Sequence, residues 1–202
     1  MGLTVPSPDK PGGEDVDLGL RVTKKGYVFK CTKEGLVYHS KETWIPVKDM
    51  VKRLWHYGCA NYYLADKHPE YTMKIMPRKS VLYLVGFAVI ILIALLRLNP
   101  FIFMLIPLWI VADLSLTSLF INMFAKYKRT SFLHQFVVQL LMMDNEVGYV
   151  FTCIKKGKIE YILKDVVYFD GQIDGILDNG SIVTWSNFFS FLFLYGTLLL
   201  IR

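Results

Sequence analysis

The sequence predicts an α+β membrane protein: a two-helix transmembrane hairpin inserted between cytoplasmic segments rich in β-hairpins, with an apolar helix at the C-terminal end. Three observations carry that prediction. Two apolar runs, Ser80 to Leu96 and Phe101 to Phe124, are each long enough to cross a bilayer and are separated only by Arg97-Leu98-Asn99-Pro100. A ten-residue stretch with strand-like alternation occurs once on each side of them. Asn187 to Ile201 forms a further apolar run without a charge.

Composition supports the membrane class. Of 202 residues, 53% are hydrophobic, and the mean hydropathy of +0.37 is too high for an ordinary soluble domain. The net charge of +6 does not point to nucleic acid. Much of it lies beside the spans, in Lys74, Arg78 and Lys79 before the first and Lys126, Lys128 and Arg129 after the second. Cytoplasmic loops are enriched in Lys and Arg, so both flanks are expected inside and Arg97 to Pro100 outside. The expected location is a bacterial inner membrane, crossed more than once, with no nucleic-acid partner.

In chain order, residues 1–20 read as a disordered lead-in. Pro6, Pro8, Pro11, Gly12 and Gly13 interrupt it, and it lacks the apolar centre of a signal peptide. Residues 21–79 read as a β-hairpin followed by a helix. That helix starts after Pro46, with Val47, Met50, Val51, Leu54 and Trp55 at helical spacing. Residues 80–124 are the transmembrane hairpin. Residues 125–146 read as an interfacial amphipathic helix, because Ser131, His134, Gln135 and Gln139 share one stripe beside the basic cluster.

Residues 147–186 read as a cytoplasmic β-domain. Gly148-Tyr149-Val150-Phe151-Thr152-Cys153-Ile154-Lys155-Lys156-Gly157 matches Gly26-Tyr27-Val28-Phe29-Lys30-Cys31-Thr32-Lys33-Glu34-Gly35 at seven of ten positions. Tyr, Phe and Cys alternate in both copies, as on one face of a strand. Each copy leads into a second run, Leu36 to His39 or Lys158 to Leu163, and Asp178-Asn179-Gly180 marks a further hairpin between Ile173 to Leu177 and Ser181 to Trp185. Residues 187–202 form an apolar helix with two readings, a short span or a core or surface helix. The second is preferred, since the helix starts at the edge of a strand domain that must bury apolar surface.

The order of strand pair, Trp44-Ile45-Pro46-Val47-Lys48-Asp49-Met50, further strands and a closing helix after Ser186-Asn187 resembles the pleckstrin-homology-like β-domains of small bacterial membrane proteins that carry a two-span hairpin. The resemblance covers residues 22–51 and 147–202. It implies a scaffold and brings no catalytic residues with it.

Asp113, near the middle of the second span, is the residue hardest to keep there without a reason. An ionised carboxylate at that depth costs about 2.5–3.5 kcal/mol. Ser115, Thr117, Ser118 and Asn122 make the rest of the span polar, and Pro107 is expected to kink it. Asp113 is either hydrogen-bonded within the hairpin or a homo-oligomer, or it is a contact to another protein, or part of a proton relay. As candidate partner contacts we take Asp113, Ser115, Thr117, Ser118 and Asn122.

Other clusters have simpler explanations. His56, Cys59 and His68 lack the paired spacing of a zinc site. Asp170, Asp174 and Asp178 sit beside turn glycines and lack the alternation of a calcium loop. Cys31, Cys59 and Cys153 are an odd set on the reducing side, so no disulfide is expected. No nucleophile elbow, phosphate loop or zinc-protease motif is present. The expectation is a non-enzymatic integral membrane protein, without cofactor or metal, that recognises or regulates another membrane protein in a regulatory, exclusion or immunity-like role. The alternative is an accessory subunit of a membrane transport or secretion machine. The expected partners are the bilayer, another integral membrane protein and a second copy of the chain.

Overall fold

Proline and glycine set the limits of the helices. In the computed structural model, residues 13–28, 46–74, 78–124, 131–166 and 186–197 are described. They form α1 (Glu14–Lys24), α2 (Val47–Lys67), α3 (Lys79–Arg97), α4 (Leu105–Phe124), α5 (Phe132–Lys155) and α6 (residues 186–197). Two short strands, β1 (Thr72–Lys74) and β2 (Lys164–Val166), pair antiparallel with Thr72 opposite Val166. Helix α2 begins directly after Pro46 and ends at Lys67, because His68 precedes Pro69 and such a residue is pushed out of the helical region. Helix α3 closes with Leu98 in the left-handed region. Asn99 N–H donates to Ala94 C=O, and the Asn99 side chain accepts from Phe101 N–H, so Pro100 can open the next turn.

The chain divides into two compact units, Met1–Ile75 with Asp144–Tyr168, and Met76–Met143 with Phe169–Arg202. In the first, Leu20, Tyr62, Leu64, Ala65, Tyr149, Cys153, Tyr161 and Val166 form the core. Helices α2 and α5 meet backbone to backbone: a Cβ on Gly58 would collide with Asn145 C=O, and one on Gly148 with Trp55 C=O. In the second unit, Tyr83, Ile90, Ala94, Ile102, Leu105, Trp109 and Leu194 form the core. Trp109 lies over Gly86, whose missing side chain makes room for the ring.

The two apolar runs are helices, α3 and α4, with a 3-10 turn over Pro100–Met104 between them. Among the described residues, three helices are long and apolar enough to cross a membrane: Lys79–Arg97, Pro100–Met123 and Phe132–Lys155. Pro107 falls in the first turn of α4, directly after that 3-10 turn, and proline is tolerated at such a position.

The strand-rich segments differ from expectation. Residues 148–155 are helical and complete α5, and Ile159–Leu163 is a 3-10 turn rather than a strand. Tyr149 and Cys153 stand four apart, a spacing that fits one face of a helix as well as one face of a strand. Phe151, between them, decides the period: it is half exposed, whereas Tyr149 and Cys153 are fully buried. The described ends of the two copies also differ. Gly26 closes α1 with φ 81°, and Tyr27 and Val28 after it are exposed, while the equivalent Gly148 sits inside α5. Residues 14–20 of the expected disordered lead-in belong to α1, whose first turn carries Glu14, Asp15 and Asp17 and whose last carries Arg21 and Lys24, as the helix dipole favours. The expected interfacial helix of residues 125–146 is, from Phe132, the first part of the longer α5. The runs Phe29 to His39 and Ile173 to Trp185, and Lys126, Lys128, Arg129, Cys31, Asp170, Asp174 and Asp178, lie outside the described residues.

Candidate functional site

The second unit places Asp113 in a polar network among apolar helices. Asp113 is 2% exposed. Its Oδ2 accepts from Lys79 Nζ at 2.8 Å and from the Tyr83 hydroxyl. Lys79 Nζ also donates to Thr117 Oγ1, and Thr117 Oγ1 lies 3.0 Å from Ser186 Oγ on α6. Thr117 and Ser118 also bond the carbonyls four residues back, Asp113 and Leu114, as hydroxyls in apolar helices do. Lys79 and Tyr83 are one helical turn apart on α3, and Asp113 and Thr117 one turn apart on α4, so four side chains share two facing helix stripes.

Lys79 counts in sequence among the basic residues flanking the first span. The structure instead turns it inward, 4% exposed, as the partner of Asp113. Each charge alone would be expensive in this environment. Paired and hydrogen-bonded, they bring three helices together.

Aromatic packing seals the network. Trp109 stands edge-on to Tyr83 at 5.2 Å and to Phe191 at 6.0 Å, and its Nε1–H donates to Ser190 Oγ at 2.8 Å. Ser186, Ser190 and Leu194 repeat every four residues and are all buried, whereas Phe188, Phe189, Leu192 and Phe193 face outward. The apolar run from Asn187 thus contributes a helix to the membrane unit. It follows α4 from Thr117, beside Ser186, toward the cluster holding Ile102 and Leu105, where Leu194 packs. A cavity of about 10 Å³ lies among Lys79, Tyr83, Trp109, Asp113, Asn187 and Ser190. Asn187 is 7% exposed and its Oδ1 has no hydrogen-bond partner among the described residues.

Of the five sequence-predicted residues, Asp113, Thr117 and Ser118 are buried inside the chain. Ser115 and Asn122 are half-buried at the surface of α4, and Asn122 Oδ1 has no partner among the described residues. Lys79, Tyr83, Ser186, Asn187 and Ser190 escaped sequence reasoning. A lysine at a helix start and isolated serines in a Phe-rich run carry no motif; the four-residue spacing of Ser186 and Ser190 was the available signal.

The first unit has its own buried charge. Asp17, 1% exposed, accepts from Lys67 Nζ at 2.8 Å and lies 2.7 Å from His68 Nε2, with Arg21 at 3.7 Å. Burial pushes its pKa up, but hydrogen bonds and charge from Lys67 and His68 outweigh it, and the net direction is down. This cluster ties α1 to the end of α2. His68 thereby turns to Asp17 rather than joining His56 and Cys59. Among the described residues no group of three or more His, Cys, Asp or Glu side chains is arranged to hold a metal.

No protein-family model matches this chain, and no curated protein or solved structure is significantly similar to it.

Proposed function

We propose that the chain is a non-enzymatic, multi-pass membrane protein that recognises another integral membrane protein through the surface of α4 around Ser115 and Asn122. The observation that carries this reading is a pair of polar side chains, Ser115 and Asn122, left partly exposed on the otherwise apolar surface of a helix. In hydrocarbon a polar side chain on a helix surface is costly unless a partner reaches it, and polar side chains of neighbouring helices are the usual partners. Ser115, Leu119 and Asn122 stand at spacings of four and three, one stripe of a helix. Asp113, in contrast, has its charge answered by Lys79 and serves the internal assembly of the unit.

The pairing of β1 with β2 supports a specific topology. Thr72–Lys74 and Lys164–Val166 must lie on one face of the bilayer to hydrogen-bond, so the chain between them crosses an even number of times. Helices α3 and α4 supply two crossings; a complete third crossing by α5 would separate the strands. Helix α5 is then a membrane-associated helix whose Gly148 end packs on α2, despite its length. The strand face is the cytoplasmic one, on the evidence of Lys74 and Arg78.

Affinity purification from native membranes tests the recognition role. A membrane protein that co-purifies with the wild type should be lost with Asn122→Leu and Ser115→Leu, and retention by both variants would contradict the proposal. A second reading, an accessory subunit of a transport machine, is favoured by the cavity beside the ion pair. Lost ion flux in Asp113→Asn with unchanged partners would bring it forward.

A further inference from the structure

We propose that the cavity beside the Lys79–Asp113 pair binds one water molecule, which links the ion pair to α6 through Asn187. The size fits: about 10 Å³ is at the threshold for a single water and excludes any larger ligand. The chemistry fits as well. Lys79 Nζ has three protons, of which Asp113 Oδ2 and Thr117 Oγ1 take two. The third is available to a water, which in turn donates to Asn187 Oδ1, the buried acceptor that nothing else among the described residues satisfies. Ser190 Oγ, already accepting from Trp109, retains a lone pair for the second water proton. Three hydrogen bonds are the usual complement of a buried water. A metal cation is excluded by charge, because the ammonium of Lys79 already occupies the cationic position opposite Asp113.

The water has a structural consequence. Among the hydrogen bonds by which α6 reaches the α3–α4 network are Ser186 to Thr117 and Ser190 to Trp109. The bridged Asn187 adds a further link, from α6 to the Lys79 ammonium through the water.

The test uses the full chain with ¹⁵N-labelled tryptophan in lipid nanodiscs. The Trp109 indole N–H, assigned by its disappearance in Trp109→Phe, lines the cavity and reports on it. Magnetisation transfer from water to this proton should be present in the wild type, retained in Asn187→Ser and lost in Asn187→Leu, whose side chain fills the space and offers no acceptor. A disulfide between Cys introduced at Thr117 and Ser186 in the Asn187→Leu background shows whether α6 stays docked. Absence of transfer in the wild type overturns the proposal, as does transfer that persists in a docked Asn187→Leu. Should Asn187→Leu undock α6, the wild type and Asn187→Ser decide: transfer in both supports the water, and its absence from the wild type rejects it.

Discussion

Lys79 Nζ and Asp113 Oδ2 lie 2.8 Å apart, one at the first residue of α3 and the other midway along α4, both shielded from solvent. Each residue neutralises a charge the other could not carry alone in an apolar surrounding, and Tyr83 and Thr117 satisfy further hydrogen-bonding positions. The pair is therefore an assembly device. Breaking one partner is worse than removing both, because it strands a buried charge.

Asp113→Asn or Lys79→Met alone should destabilise the membrane unit by about 3–5 kcal/mol. The double variant Lys79→Met with Asp113→Leu should recover much of that loss. Unfolding in detergent, followed by Trp fluorescence, measures it. Equal losses in the single and double variants would mean that the pair contributes no coupling.

The glycines separate by what surrounds them. Gly58→Ala and Gly148→Ala push a methyl into the backbone of the facing helix, and each should cost about 1–3 kcal/mol or more. Gly19→Ala, on α1 with open space around it, should instead stabilise by roughly 0.5–1 kcal/mol. Denaturant midpoints check both signs.

Asp17 predicts a pH dependence. Its carboxyl is held below the ordinary 3.8 by Lys67 and His68 despite burial, so its contribution is fully present above the unfolded value. That contribution should disappear as pH falls from about the ordinary carboxylate range through the lower folded value. Asp17→Asn should be less stable at neutral pH and should lose part of the acid-side slope. Amide exchange of α1 across this range reads the effect directly.

The topology predicts accessibility. Cysteine at Asn99 should react with a membrane-impermeant reagent from one face of the membrane and cysteine at Lys156 only from the other. Labelling of both from the same face would break the even-crossing arrangement.

Much of the helical frame was legible in the sequence. The apolar runs around Arg97-Leu98-Asn99-Pro100 and the apolar spacing after Pro46 specify α3, α4 and α2 because length and period there admit one reading. The segment from Gly148 did not, since a four-residue interval satisfies both helix and strand, and the helix shows only in the exposure of Phe151 and the packing of Gly148 on Trp55. Asp113 was legible as a buried charge, but its partner was not. Lys79 is one of several basic residues at a membrane edge, and nothing local distinguishes one that turns inward from one that faces water. Serines in a Phe-rich helix have meaning only once Thr117 and Trp109 are seen opposite them.

Recognition of a membrane partner through α4 is tested most directly by photo-crosslinking in native membranes, with a photoreactive amino acid placed at Asn122, at Ser115 and, as a lipid-facing control, at Leu84, which is well exposed on α3. Discrete protein adducts from positions 122 and 115, and none from 84, are the predicted result. Adducts from none of the three, or from 84 alone, would contradict the account.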